Sequence, residues 1–294
     1  MRIKVPTIHD DVEHFERLFE IIEATLTATD VFFDFTECEY LRQNAVATLG
    51  GLARLIESRG GTVVFEWGGC CATVLKNLKQ NGFIRAFGKE VVVGIGNSIP
   101  YKESPSKDKV SLMQYIKKDW LERGWLNITA DERSAVAGNA WEVYENAFEH
   151  SGSAVGVFSC GQFYPKTKEL TLCVVDFGVG IPHNVRNFLG QLVELGFSVG
   201  SLSEEDHQEY KEVISNFASE DALEWAFLEG KSTRKSSPGG LGLKELARFV
   251  SGRNGRLEVY SEYGRAVITN QQRSFSRLKK FFPGTIVHIS LLCN

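Results

Sequence analysis

Residues 170–182 read Leu-Thr-Leu-Cys-Val-Val-Asp-Phe-Gly-Val-Gly-Ile-Pro. The run 170–176 is apolar and β-rich, so it predicts a strand ending at Asp176. Glycines follow at alternate positions, Gly178 and Gly180, where a chain without Cβ atoms can come close to a ligand. A carboxylate at a strand end can accept a hydrogen bond from an exocyclic amine such as that of adenine. Taken alone, D-x-G-x-G also describes many ordinary turns.

Upstream, Thr129-Ala130-Asp131-Glu132 has the T-x-x-E form of a capping box and predicts a helix start. The helix should run through RSAVAGNAWEVYENAFEH and stop near Gly152. Val136, Ala140, Val143, Tyr144, Ala147 and Phe148 form its apolar face. Glu142, Asn146, Glu149 and His150 share the other face, and the i, i+4 spacing makes Glu142 and Asn146 neighbours. Magnesium prefers oxygen ligands and commonly binds through one protein group plus substrate phosphates. Asn146 can supply such an oxygen, and Glu142 can orient or deprotonate an attacking water or hydroxyl. A solvated polar face accounts for the same residues.

Downstream, Gly230-Lys231-Ser232-Thr233-Arg234 leads to Ser237-Pro238-Gly239-Gly240-Leu241-Gly242-Leu243-Lys244 and then a helix. Glycine-rich backbone at a helix N-terminus offers several N–H groups to an anion. Lys231 and Arg234 could reach terminal phosphates. The loop is neither a Walker A loop nor a dinucleotide-binding fingerprint, and a surface turn explains it equally well.

The order ENAFEHS, DFGVGIP, GGLGL and a closing Pro283-Gly284-Thr285 strand resembles the N, G1, G2 and G3 boxes of the histidine-kinase-like (GHKL) ATPases, the family of DNA gyrase, heat-shock chaperones, histidine kinases and MutL. The resemblance covers nearly all of residues 125–292. It implies ATP and Mg2+ as cofactors, with Glu142 catalytic and Asn146 the magnesium ligand. It further implies Asp176 as the adenine-recognising residue, Gly178 and Gly180 against the base, and Gly240 and Gly242 facing phosphate beside Lys231, Thr233 and Leu241. Thr285 would stand in the adenine-side water network, and His150 either touches the phosphates or caps the helix. The implied fold is α/β: a Bergerat-type α/β sandwich, its mixed, mostly antiparallel sheet covered by helices on one face. Strands are expected at Val155–Cys160, Leu170–Val175, Gly255–Ser261, Gly264–Asn270 and Thr285–Leu291. Residues 183–229 read as helices inserted over the nucleotide.

The first half alternates strand-like and helix-like runs. Val31–Phe35 and Thr62–Glu66 predict strands, and 44–58 and 71–81 predict helices, giving a small α/β layer. From VFFDFTECEY to LKQNGFIRAFG it resembles a STAS domain, the fold of anti-sigma-factor antagonists. The family's phosphorylatable turn falls on Arg42-Gln43-Asn44-Ala45, which has no hydroxyl, so the module should serve as a docking or sensing surface. Residues 100–110 (PYKESPSKDK) are rich in Pro, Ser and charge. The expected domains are therefore a STAS-like module at 1–100, a linker at 101–125 and an ATPase-like domain at 126–294.

Composition narrows the function classes. With 43% hydrophobic and 24% charged residues the chain is core-forming. A net charge of −4 argues against a general nucleic-acid binder, which would carry a basic excess. No stretch approaches the roughly 20 apolar residues of a membrane span, and the N-terminus lacks a secretory signal, so a cytoplasmic protein is expected. The cysteines show no C-x-x-C pair and should be buried thiols. Three functions follow: a regulatory ATPase whose nucleotide state controls a protein partner through the N-terminal domain, a serine/threonine kinase of the anti-sigma-factor type, or a non-catalytic nucleotide-binding module. A homodimer is left open.

Overall fold

The computed structural model describes residues 1–88, 94–228 and 242–293. Its organising element is a five-stranded sheet built from β4 (Ser98–Ser104), β5 (Val157–Tyr164), β6 (Glu169–Asp176), β7 (Arg256–Ile268) and β8 (Arg273–Leu292), in the order β4-β5-β6-β8-β7. Every neighbouring pair is antiparallel. The expectation of a mixed sheet is corrected accordingly. Short loops join β5 to β6 and β7 to β8, and such hairpin connections make antiparallel neighbours.

Side chains alternate across the sheet with the strand period of two. On β6, Leu172 and Val174 face one hydrophobic core, while Cys173 and Val175 face another. The first core is closed by α6 (Ala130–His150) and α10 (Gly242–Gly252). The second is closed by the N-terminal half of the chain. Helices therefore cover both faces, not one. This is why β6 is apolar at successive positions instead of alternating apolar with polar.

The N-terminal half forms a parallel three-stranded sheet, β1 (Arg2–Lys4), β2 (Asp30–Asp34) and β3 (Thr62–Glu66), in that order. The crossovers are α1 (Val12–Thr25) and α2 (Gln43–Glu57), and α3 (Ala72–Gln80) and α4 (Phe83–Ala86) follow. The predicted elements at 31–35, 44–58, 62–66 and 71–81 all fall within a residue or two of these. The two crossover helices also pack on the large sheet. Phe15 of α1 stacks on Tyr260 with ring centroids 4.1 Å apart, and Phe19 meets Phe282 at 5.1 Å.

On α2 the sequence Gly50-Gly51 sits mid-helix, where each glycine costs about 1 kcal/mol relative to alanine. Close packing explains both. A Cβ on Gly51 would lie 2.6 Å from Phe177 and 2.7 Å from Phe158, and one on Gly50 would strike the Tyr101 ring.

Two further expectations change. Residues 101–125 are not a linker: they supply most of β4, then α5 (Lys109–Gln114), which continues as a π-helical stretch Tyr115–Leu121. Trp120, Ile116 and Tyr115 of that stretch are buried against α6, so the polar composition of 100–110 belongs to a strand end and turn. The strands expected at 255–261 and 264–270 are one strand, bent where its pairing with β8 shifts register between Ser261 and Gly264. The helical reading of 183–229 holds, as three helices, α7 (Ile181–Ser198), α8 (Glu204–Ser215) and α9 (Ser219–Phe227).

Gly51→Val should lift α2 off the sheet and lower stability by about 1–3 kcal/mol, the usual cost of overpacking. Urea unfolding of the two proteins checks this, and an unchanged midpoint would contradict the close packing described here.

Candidate functional site

Helix α6 begins as its sequence requires. Thr129 accepts from the Glu132 backbone N–H, and the Glu132 carboxylate accepts from the Thr129 N–H at 2.8 Å. The cap sets the phase of the helix, which turns Asn146 and His150 into a pocket beside β6. The pocket is a partly open cleft whose walls are mostly apolar with a few polar groups, the character of a small-molecule site. Asp176 and Thr285 enter from the sheet, and Val143, Val174, Val179, Ile181 and Leu243 supply apolar wall. Four of the residues singled out from the sequence, on three separate segments, thus share one cavity.

Asp176 is 4% exposed. Its Oδ1 accepts from the Gly178 N–H at 3.1 Å. Burial pushes its carboxyl up to about 8, although the backbone N–H groups of Gly178 and Thr285 work against that rise. Thr285 pairs directly with Asp176 across β6 and β8. Its hydroxyl lies 3.2 Å from that of Ser261, which donates to the Gly284 carbonyl at 2.7 Å and accepts from the Ile181 N–H at 3.0 Å. Ser261 thereby ties the first turn of α7 to the sheet floor.

The two glycines of the 176–182 turn also answer to packing that the sequence does not show. A Cβ on Gly178 would collide with the Ser151 carbonyl, and one on Gly180 would sit 2.5 Å from Ser261 Oγ. Both glycines let the turn close on protein backbone and side chain, and neither is a wall of the pocket. Glu142 is half-buried one turn before Asn146 and also stands outside the pocket wall. Gly242 is the first residue of α10, with Leu243 next to it in the pocket. Lys231, Thr233, Gly240 and Leu241 lie outside the described residues.

The structure adds residues that the sequence did not mark. Asn184 lines the pocket and donates from Nδ2 to the His150 carbonyl at 3.1 Å, holding α7 against the end of α6. Trp225 and Ala226 of α9 close another side. No motif announces Asn184. Trp225 falls inside the stretch read as a helical cover, which was the only available signal. Among the described residues, no group of three or more His, Cys, Asp or Glu side chains could hold a metal ion. No described helix is long and apolar enough to cross a membrane.

No protein-family model matches the chain, and no curated protein matches it. The fold and pocket define an α/β protein in which one antiparallel sheet carries an apolar-walled cavity on one face and a parallel α/β module on the other.

The raised Asp176 carboxyl has a consequence for stability. An unfolded Asp ionises near pH 4, whereas folded Asp176 keeps its proton to about 8. The native state then holds the extra proton, so this contribution is fully present below about pH 4 and is lost as pH rises toward 8. Wild type should therefore lose stability between pH 5 and 8 relative to Asp176→Asn. Thermal melts of both proteins across that range provide the measurement, and parallel curves would count against a buried protonated Asp176.

Proposed function

We propose that this protein binds ATP with magnesium in the α6–β6–β8 pocket and acts as a regulatory ATPase of the histidine-kinase-like type. The observation that carries the reading is the meeting of Asn146, His150, Asp176 and Thr285 in one apolar-walled cavity, in the arrangement that the resemblance assigns to nucleotide. Asp176, with Thr285 beside it, offers a buried acceptor for the adenine amino group. The apolar walls suit a planar base.

The donor set fits magnesium. With no carboxylate cluster among the described residues, an ion here would rest on the Asn146 amide oxygen and on oxygens of the nucleotide, which matches magnesium's preference for few protein ligands. Magnesium would neutralise phosphate charge. Glu142, one helical turn from Asn146, is the residue to orient a water for attack. Lys107 bridges Glu145 at 2.8 Å and Glu149 at 2.6 Å, which offsets negative charge on the same helix.

The N-terminal module is the reading's second half. Its Arg42–Ala45 turn is buried against the large sheet, with Gln43 Nε2 donating to Gln162 Oε1 at 2.6 Å and Asn44 Nδ2 donating to Asp10 Oδ1 at 2.6 Å. Lacking a hydroxyl and lacking exposure, the turn is unsuited to phosphorylation. That favours a switch which signals through shape over a kinase acting on its own module.

Calorimetric titration with Mg-ATP tests the reading. Asp176→Asn should weaken binding at least tenfold, and Asn146→Ala should abolish the gain in affinity from magnesium. Because an amino group donating to Asp176 favours its ionised form, binding should release protons near pH 7 and tighten toward pH 8. Phosphate release that disappears in Glu142→Gln would establish turnover. Wild-type affinity retained in both pocket variants would remove the site.

A further inference from the structure

The outer part of α7 and the whole of α8 form a helical hairpin with almost no core of its own. Among 18 residues of α7 only Pro182 and Val185 are buried, and in α8 only His207. The hairpin is held internally. His207 stacks on Phe197 with centroids 4.1 Å apart, and Glu194 reaches both His207 at 3.2 Å and Lys211 at 3.0 Å. Helices of this length gain most of their stability from packing an apolar face. Here the apolar faces point outward. Leu192 and Leu195, i and i+3 on α7, and Val199 at its C-terminal cap are 49%, 60% and 68% exposed. Tyr210 and Val213, i and i+3 on α8, are 48% and 57% exposed, and the half-buried Phe217 follows just past the helix end. Single exposed apolar residues need no explanation, but two groups of them on one hairpin do.

The charge around these groups is one-sided. From Leu192 to Asp221 the chain carries eight carboxylates and one lysine, Lys211, and that lysine is already engaged by Glu194. Val213 and Phe217 lie in a groove edged by Glu209, Glu212 and Asp221. An apolar floor with acidic edges is complementary to an amphipathic helix whose apolar face is flanked by lysine or arginine.

We infer that the α8 groove of this hairpin is a docking surface for a partner protein that presents a basic amphipathic helix. The apolar face of that helix covers Tyr210, Val213 and Phe217, and its cations meet Glu209, Glu212 and Asp221. The hairpin starts at the wall of the cavity, where Ile181, Asn184 and Val185 of α7 stand.

The test uses the full chain and three fluorescein-labelled 18-residue peptides: leucine and lysine at helical spacing, the same composition scrambled, and glutamate in place of lysine. Fluorescence anisotropy should show binding of the first only, with the other two at least tenfold weaker. Tyr210→Ser with Val213→Ser, and separately Glu209→Lys with Glu212→Lys, should each weaken it at least tenfold. All four positions are on the surface, and circular dichroism checks that folding is intact. Equal binding of the scrambled peptide would mean charge attraction alone and would overturn the proposal. So would binding unchanged in both variants, or no binding at all. Sedimentation of the free chain adds a further arm: self-association abolished by the serine pair would make a second copy the occupant and would also overturn it.

Discussion

One antiparallel sheet with two apolar faces is the constraint on which the rest depends. At about 25 cal/mol per Å2 of apolar surface, neither face can be left to water. Helices α6 and α10 close one face, and the N-terminal α/β module closes the other through Phe15, Phe19, Leu49 and Leu52. The two halves of the chain therefore share a core instead of being joined by a tether. The stretch between them becomes an edge strand and a buried helix for the same reason. Gly50 and Gly51 record how close α2 must come to the sheet, since side chains there would collide with Tyr101, Phe158 and Phe177.

The junction of module and sheet also encloses charge. Arg42 forms an ion pair with Asp10, Nε to Oδ2 at 2.8 Å, and stacks over the Tyr164 ring at 3.9 Å. Glu258, 1% exposed, meets Arg256 at 2.9 Å and Arg265 at 2.7 Å, with His288 at 3.8 Å. Burial alone would depress the His288 imidazole, but Asp10, Glu258 and Glu169 outweigh it and raise it. Burial likewise opposes charge on Glu258, and His288 and Arg256 reverse that and hold its carboxyl well below the usual range. Buried pairs of this kind add little net stability, but removing one partner is costly because the other charge is stranded. They define how the module sits.

Strand β8 runs between these two regions. Thr285 and Val287 line the cavity, while Ile286 joins the opposite core and His288 stands in the charged cluster. The pleat that separates successive side chains places a cavity wall and a module contact on adjacent residues. The proposed role as a switch rests on this adjacency.

Local physics was legible in the sequence. The Thr129–Glu132 box, the i, i+4, i+8 spacing of Glu142, Asn146 and His150, and the strand ending at Asp176 depend on a few neighbouring residues, and each takes its expected local form. So do β2, β3, α2 and α3, whose periodicity is their own. Tertiary structure alone decided what lies against what. The purpose of Gly178 and Gly180 could not be read from a D-x-G-x-G pattern, because their close neighbours, Ser151 and Ser261, are distant in sequence. The same holds for Asn184 and Trp225, which reach the pocket through helix placement, and for the cover on the second face of the sheet. A strand that is apolar at successive positions says that both its faces are buried, but it does not say by which part of the chain. That choice is made by long-range packing, where shape and volume must match across elements more than a hundred residues apart in sequence.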